Sequence, residues 1–210
     1  MNNLQKRILT SLIALPLSIF FVVKGGYLLI FFLIFILFAG MHELFSVFKK
    51  IQSILFLSVI LILSLFCIYY LREKEPLLLY FVIAITISSD IGGYVFGKIF
   101  KWKKLTKISP NKTLSGSLGS YFLSIICLSV WHKFYLSGFE QFVYAFFATI
   151  ILSTVSQVGD LIISYFKRLE RIKDAGKILP GHGGIFDRID GLMFVVIAAS
   201  IYYYFGNYYF

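Results

Sequence analysis

Carboxylates recur near one end of several apolar segments of this sequence, where charged groups are rare. The ionisable residues within or beside these segments are Asp90, Asp160, Asp187 and Asp190, together with the adjacent pair His42 and Glu43. Ionisable groups in long apolar segments are costly and usually mark a functional site. Carboxylate oxygens suit Mg²⁺, and lysine and arginine side chains suit phosphates. The combination predicts phosphoryl or nucleotidyl transfer, assisted by two metals or by a metal and a monovalent cation.

A polar stripe on the sixth apolar segment ends in a cluster of cations. The spacing of the polar residues places them on one helix face: Ser153, Gln157, Asp160, Ser164, Lys167, Arg168 and Arg171. Serine and glutamine often join neighbouring helices, so the stripe has a purely structural interpretation. The charged lower half favours a site. We therefore expect Ser164, Lys167 and Arg168 to serve the substrate.

A glycine-rich turn, residues 180–184, precedes the last apolar segment. Glycines let backbone N–H groups approach a phosphate, and a helix N-terminus adds a favourable field. We expect His182, Gly183 and Gly184 to contact substrate, and Arg188 to pair with Asp187, Asp190 or a phosphate. The alternatives for His182 are a metal ligand, a general base or a cap of the turn. Zinc is disfavoured because no cysteine lies nearby, and the Walker spacing is absent.

A second cationic loop, residues 98–113, ends in Ser109-Pro110-Asn111-Lys112-Thr113. Proline stops the preceding structure, and Thr113 can cap the next helix. Ser109 and Lys112 are predicted to bind substrate. The run from Lys101 to Lys104 is also explained by topology alone.

Composition indicates an all-α, polytopic transmembrane helix bundle, because 59% of the residues are hydrophobic and the mean hydropathy is +0.86. We predict about seven spans. Their ranges are 7–23, 27–48, 52–71, 76–100, 113–132, 139–166 and 191–206. Residues 1–75 would form N-terminal transmembrane helices, and 76–210 a catalytic region with cytoplasmic loops 98–113 and 167–190.

Charge asymmetry sets the expected orientation. With the N-terminus in the cytoplasm, sixteen of the 20 lysines and arginines fall on the inner side, as the positive-inside rule requires. The same rule explains the net charge of +10, so nucleic acid is not an expected partner. The polar groups then lie at one depth, and the site faces the cytoplasm. Cys67 and Cys127 lie in apolar spans and are interpreted as core residues.

These residues resemble a known signature. Ser164-x-x-Lys167-Arg168, Lys173-Asp174, Pro180-Gly181-His182-Gly183-Gly184 and Asp187-Arg188-Ile189-Asp190 are similar to that of the phosphatidate cytidylyltransferases, also called CDP-diacylglycerol synthases. Gly159-Asp160-Leu161, Asp90-Ile91-Gly92-Gly93-Tyr94 and Ser109-Pro110-Asn111-Lys112-Thr113 extend the resemblance, which covers residues 90–191. Ser115 stands where the family usually has glutamate.

The resemblance implies that CTP and phosphatidic acid give CDP-diacylglycerol and pyrophosphate with Mg²⁺, as a step of phospholipid biosynthesis. It implies an integral protein of the bacterial inner membrane, commonly a homodimer. Asp160 and Asp187 would be the metal ligands, and Asp190 and Asp90 further acids of the site. The residues that would serve phosphates are Lys167, Arg168, Lys173, Arg188 and Lys112.

One alternative of another class stays open: a membrane transporter or channel for an anionic solute, since polar residues and glycine-broken helices also suit transport. Against it, the polar residues lie toward one face, and no internal repeat is visible. A CDP-alcohol phosphotransferase is disfavoured because its Asp-Gly-x₂-Ala-Arg motif is missing.

Overall fold

A computed structural model of the chain describes residues 3–106, 108–135, 138–176 and 183–205, with side chains from Leu12 onward. These residues form seven helices and no strand. The helices are α1 (Asn3–Lys24), α2 (Gly26–Val47), α3 (Ile51–Lys74), α4 (Pro76–Phe100), α5 (Leu114–Tyr135), α6 (Phe139–Leu169) and α7 (Phe186–Phe205). The predicted all-helical class is confirmed.

Six of these helices, α2 to α7, are long and apolar enough to cross a membrane. In α1 the apolar stretch is shorter, Leu12–Lys24. The chain is therefore an integral membrane protein. The predicted spans agree with the helices to within a few residues, with one exception: α7 begins at Phe186 instead of residue 191. Asp187 and Asp190 consequently lie on the first turns of a helix, not in a loop before it.

Local chemistry explains where several helices begin and end. Gly25 and Gly26 both have positive φ, which separates α1 from α2. Pro76 opens α4, where its missing N–H costs nothing. The Thr113 hydroxyl accepts a hydrogen bond from the Gly116 N–H at 3.1 Å, which confirms the predicted cap of α5.

The described residues divide into two compact units. The first comprises Met1–Lys74 and Phe166–Asp190. In it α2 packs on α3, and the core contains Leu29, Leu44, Leu57 and Leu61, all fully buried. Phe166 stacks on Phe56 with 4.8 Å between ring centroids. The described residues of this segment, 166–176 and 183–190, thus pack with the N-terminal helices, whereas the division into functional regions at residue 75 stays a prediction.

The second unit comprises Glu75–Tyr165 and Gly191–Phe210. Its closest packing is between α4 and α5, where small residues face each other. A Cβ on Gly119 would lie 2.7 Å from the Gly92 carbonyl oxygen, and one on Gly97 would lie 3.1 Å from the Thr113 hydroxyl. This approach of small residues is typical of membrane helices. This packing brings the end of α4 close to the start of α5, which follows Lys112 closely in sequence.

Candidate active site

In the first unit, Asp187 holds three partners at the start of α7. Its Oδ1 accepts a hydrogen bond from Lys167 Nζ at 2.7 Å. Its Oδ2 accepts the backbone N–H groups of Ala175 at 2.8 Å and Gly184 at 2.9 Å. The side chains of Lys167 and Asp187 are 11% and 9% exposed. A charge-assisted pair at this burial is stronger than an exposed one, and it needs both partners.

Glu43 of α2 holds the two N–H groups that follow. Its carboxylate accepts Ile185 N–H at 2.8 Å from Oε2 and Phe186 N–H at 3.3 Å. Only 1% of Glu43 is exposed. The N–H groups of residues 184, 185 and 186 are therefore all bound by carboxylates of the protein. Gly184 is a predicted phosphate contact, and in this structure its N–H is engaged by Asp187.

The end of α6 turns sharply after the predicted cations. Arg171 has a left-handed φ of 59°, and Ile172 N–H donates to the Lys167 carbonyl at 3.0 Å, which closes the helix with a Schellman-type bond. Arg168 Nη1 donates to the Ile172 carbonyl at 2.9 Å. Arg168 thus stabilises the turn in this structure.

The remaining predicted residues of this unit differ in exposure. Lys173 and Arg188 are exposed, and Asp190 and Gly183 are half-buried. His182 lies outside the described residues, so its role stays a prediction. Gly183 has a φ of 85°, a conformation that favours glycine.

In the second unit, Lys112 pairs with Asp160 of α6. Lys112 Nζ lies 2.9 Å from Asp160 Oδ2, and the two side chains are 28% and 21% exposed. The loop that carries Lys112 is held by backbone hydrogen bonds, from Leu105 N–H to the Lys112 carbonyl and from Lys112 N–H to the Ser109 carbonyl. Ser109 therefore shapes the loop through its backbone.

The upper part of the stripe on α6 joins helices, as the structural interpretation expects. Ser153 hydrogen-bonds to Ser89 of α4 at 3.0 Å. Ser117 of α5 donates to the Gln157 side chain at 2.5 Å. Ser164, farther along the stripe, is half-buried. The stripe therefore combines interhelical contacts at Ser153 and Gln157 with the ion pair at Asp160.

Asp90 and Ser115 complete the second unit's part of the predicted site. Asp90 is exposed although it lies within α4. Ser115 is buried, with 3% exposed, and its hydroxyl hydrogen-bonds to that of Thr113 at 3.1 Å. Where the family usually has glutamate, this chain thus has a small residue inside the first turn of α5.

Asp160 offers one oxygen to a cation. Its Oδ1 is buried and has no hydrogen-bond partner among the described residues, and a buried carboxylate oxygen without a partner is costly. Such an atom suits a hard cation such as Mg²⁺. At Asp187 both oxygens already accept hydrogen bonds. No group of three potential ligands for a metal occurs within the part of the chain that the structure describes.

The sequence marks Glu43 as an ionisable residue inside an apolar segment but does not indicate what it contacts. A carboxylate in such a segment needs partners. Those partners are backbone N–H groups about 142 residues away in sequence, and no side-chain pattern reveals them. His42 is exposed.

Comparison with known proteins shows the family of the chain. A model described as "Cytidylyltransferase family" matches residues 48–206. A Staphylococcus aureus protein named phosphatidate cytidylyltransferase is 41% identical over 140 residues, which is 65% of this chain and 53% of that protein. A Helicobacter pylori protein of the same name is 36% identical over 142 residues, 68% of this chain and 52% of that protein. The chain spans about half the length of these relatives. Because the family match covers most of its residues, including both ion pairs, the chain belongs to the cytidylyltransferase family.

Proposed function

We propose that the protein transfers a cytidylyl group from CTP to phosphatidic acid and so forms CDP-diacylglycerol and pyrophosphate. The observation that carries the proposal is the family match over residues 48–206, which includes Lys112, Asp160, Lys167 and Asp187. The relatives at about 40% identity bear the name of this activity. No finding favours the transporter or channel for an anionic solute.

In the proposed reaction a phosphate oxygen of phosphatidic acid bonds to the α-phosphorus of CTP. The bond from that phosphorus to the bridging oxygen of the β-phosphate breaks, and pyrophosphate leaves. A phosphomonoester with a second pKa of about 6 is already largely ionised at neutral pH, so this step needs no general base. The barrier then depends on orientation and on charge stabilisation.

The chain's cations supply that stabilisation in our proposal. Lys112 and Lys167 would each exchange a carboxylate partner for a phosphate oxygen, and Lys173 and Arg188 are exposed and accessible to pyrophosphate. Asp160 and Asp187 stay the predicted Mg²⁺ ligands. The ion, when bound, would neutralise charge that develops on phosphate oxygens. The unpartnered Oδ1 supports this role for Asp160.

We also propose the orientation and assembly. The charge asymmetry supports a cytoplasmic N-terminus and a site open to the cytoplasm, and the bacterial relatives are the reason for proposing the bacterial plasma (inner) membrane. A homodimer is proposed from the family resemblance. Mass determination of the detergent-solubilised protein tests it, and a monomer at all concentrations would refute it.

The activity is tested with purified protein, labelled CTP, phosphatidic acid and Mg²⁺. We expect a label that partitions into the lipid phase, with release of pyrophosphate, and about a hundredfold or greater loss in Asp160→Asn and Asp187→Asn. Glu140→Gln, an exposed acid at the far end of α6, is the matched control and should keep the wild-type rate. Lack of lipid-soluble nucleotide with wild-type protein, together with anion flux in liposomes, would support transport instead.

A further inference from the structure

Glu43 is a buried acid whose carboxylate binds backbone instead of substrate. It lies on α2 in the first unit, 1% exposed, and both of its oxygens accept the Ile185 N–H, at 3.0 and 2.8 Å. Oε2 also accepts the Phe186 N–H. Burying a carboxylate is costly unless hydrogen bonds satisfy it. The contact is therefore expected to constrain strongly where the start of α7 can lie.

These N–H groups belong to Phe186, the first residue of α7, and to Ile185 directly before it. A helix leaves its first N–H groups without internal acceptors, and its dipole favours an anion there. Glu43 satisfies the Phe186 N–H and the Ile185 N–H directly before it, and Asp187 satisfies the Gly184 N–H. The two carboxylates thus fasten consecutive residues of one short segment.

Two glycines admit the Glu43 side chain. A Cβ added to Gly184 would lie 2.5 Å from Glu43 Oε2, and one added to Gly176 would collide with Oε1. Gly176 directly follows Ala175, whose N–H donates to Asp187. Glu43 therefore contacts both backbone segments that bind Asp187, at residues 175–176 and 184–186.

We infer that Glu43 is a positioning residue: it fixes the 175–176 and 184–186 segments so that Asp187 is held on Lys167. Glu43 acts through the backbone, and Asp187 is the group placed in the reaction. The inference about turnover rests on the proposed function. The inference about position does not, because it concerns contacts within the protein.

Amide hydrogen exchange with single-residue resolution tests the positioning. In Glu43→Gln we expect faster exchange, by about tenfold, at Ile185 and Phe186, which lose a charged acceptor. Positioning further requires faster exchange at Gly184 and Ala175, whose N–H groups donate to Asp187. Unchanged exchange at those two residues would overturn the inference, because Glu43 would then be only a helix cap.

Gly176→Ala disturbs the same contact by changing the glycine, and it leaves the Glu43 carboxylate intact. Its methyl group displaces that carboxylate, so the same four amides should exchange faster. If Glu43→Gln does not fold, this variant decides the question by the same criterion. Glu73→Gln, an exposed acid at the end of α3 in the same unit, is the matched control and should exchange like wild type.

Turnover gives a second readout. In Glu43→Gln we expect kcat to fall by about ten- to a hundredfold, with KM for CTP and for phosphatidic acid within about twofold of wild type. A raised KM with unchanged kcat would overturn positioning in favour of a binding role. If wild-type protein makes no CDP-diacylglycerol, the proposed function fails, and hydrogen exchange still decides the role of Glu43.

Discussion

Lys167 Nζ lies 2.7 Å from Asp187 Oδ1, while the other oxygen of the same carboxylate binds the backbone at two places. The pair is therefore more than an attraction between opposite charges. Asp187 must supply a hydrogen-bond acceptor to Ala175 and Gly184 as well as a negative charge to Lys167.

This asymmetry predicts that reversing the pair fails. The double variant Lys167→Asp with Asp187→Lys keeps the two charges, but lysine has no acceptor for the two N–H groups. We expect no recovery of activity over the single variants, and a thermal midpoint below wild type by several degrees, since two buried donors lose partners. Assay and thermal unfolding in one detergent measure both. A reversed pair with wild-type stability would contradict the described geometry.

The pair of Lys112 and Asp160 predicts two distinguishable kinetic defects. Asp160→Asn should raise the Mg²⁺ concentration required for half-maximal rate, because it removes the negative charge of the carboxylate whose Oδ1 has no hydrogen-bond partner among the described residues. Lys112→Met should instead raise KM for CTP or phosphatidic acid by about tenfold, with less change in the Mg²⁺ requirement. Initial rates over a matrix of Mg²⁺ and substrate separate them. Lys133→Met, an exposed lysine on α5, is the control for lost positive charge.

The contact between α4 and α5 predicts graded intolerance to added methyl groups. Gly92→Ala would direct its Cβ into the Gly119 backbone, whereas Gly97→Ala meets the Thr113 hydroxyl at 3.1 Å. We expect Gly92→Ala to lose about 1–3 kcal/mol of the free energy of unfolding, and Gly97→Ala to lose less. Equal losses in the two variants, measured by denaturant titration, would contradict this gradation, and wild-type stability of Gly92→Ala would show that the backbones separate at no cost.

The hydrogen bonds of the Glu170 carboxylate predict a contribution to the free energy of unfolding that depends on pH. Desolvation raises its pKa, but the N–H groups of Lys50 and Lys49 and the Ser53 hydroxyl outweigh that effect and lower the pKa below its ordinary value of 4.5. The carboxylate binds these groups at the start of α3, with Ser53 Oγ at 2.9 Å. Because the folded pKa is the lower one, this contribution is complete above pH 4.5 and disappears as the pH falls through the folded value.

Glu170→Gln should therefore lower the thermal midpoint at neutral pH by about 2 °C. The difference from wild type should shrink as the pH is taken below 4.5. Thermal scans of both proteins over a pH series provide the measurement. A difference that is constant with pH would mean that the loss comes from packing and not from the carboxylate charge.

The sequence predicted helices well because their signals are local. Long apolar runs, Pro76 and the Thr113 cap each act within a few residues, so the helix bounds follow from them. The start of α7 was misplaced because the glycines and acids at 183–190 are typical of a loop. The helix begins at Phe186, where Glu43 binds the first N–H groups, and this partner lies far away in sequence.

The candidate site was predictable as a set of residue types more than as a set of contacts. Charge and spacing on α6 singled out Asp160 and Lys167, and the structure gives each an ion pair. Which partner each one binds depends on the path of the loops that follow α4 and α6. The spacing of residues along a helix does not predict that path. Ser153 and Gln157 illustrate the same limit, because one spacing suits both a site and a helix contact.

The carboxylates that bind residues 184–186 change how an anion can be selected. With those N–H groups engaged, recognition falls to side-chain cations, and two of them, Lys112 and Lys167, already have carboxylate counter-ions. An anion that binds one of these two lysines must displace its carboxylate partner. The net binding free energy is then only the difference between the two ion pairs. A weakly coordinating anion such as chloride gains almost nothing from that competition, whereas a multiply charged triphosphate or phosphomonoester does. Discrimination against the abundant salts of the cell would thus come from the resting partners of the lysines.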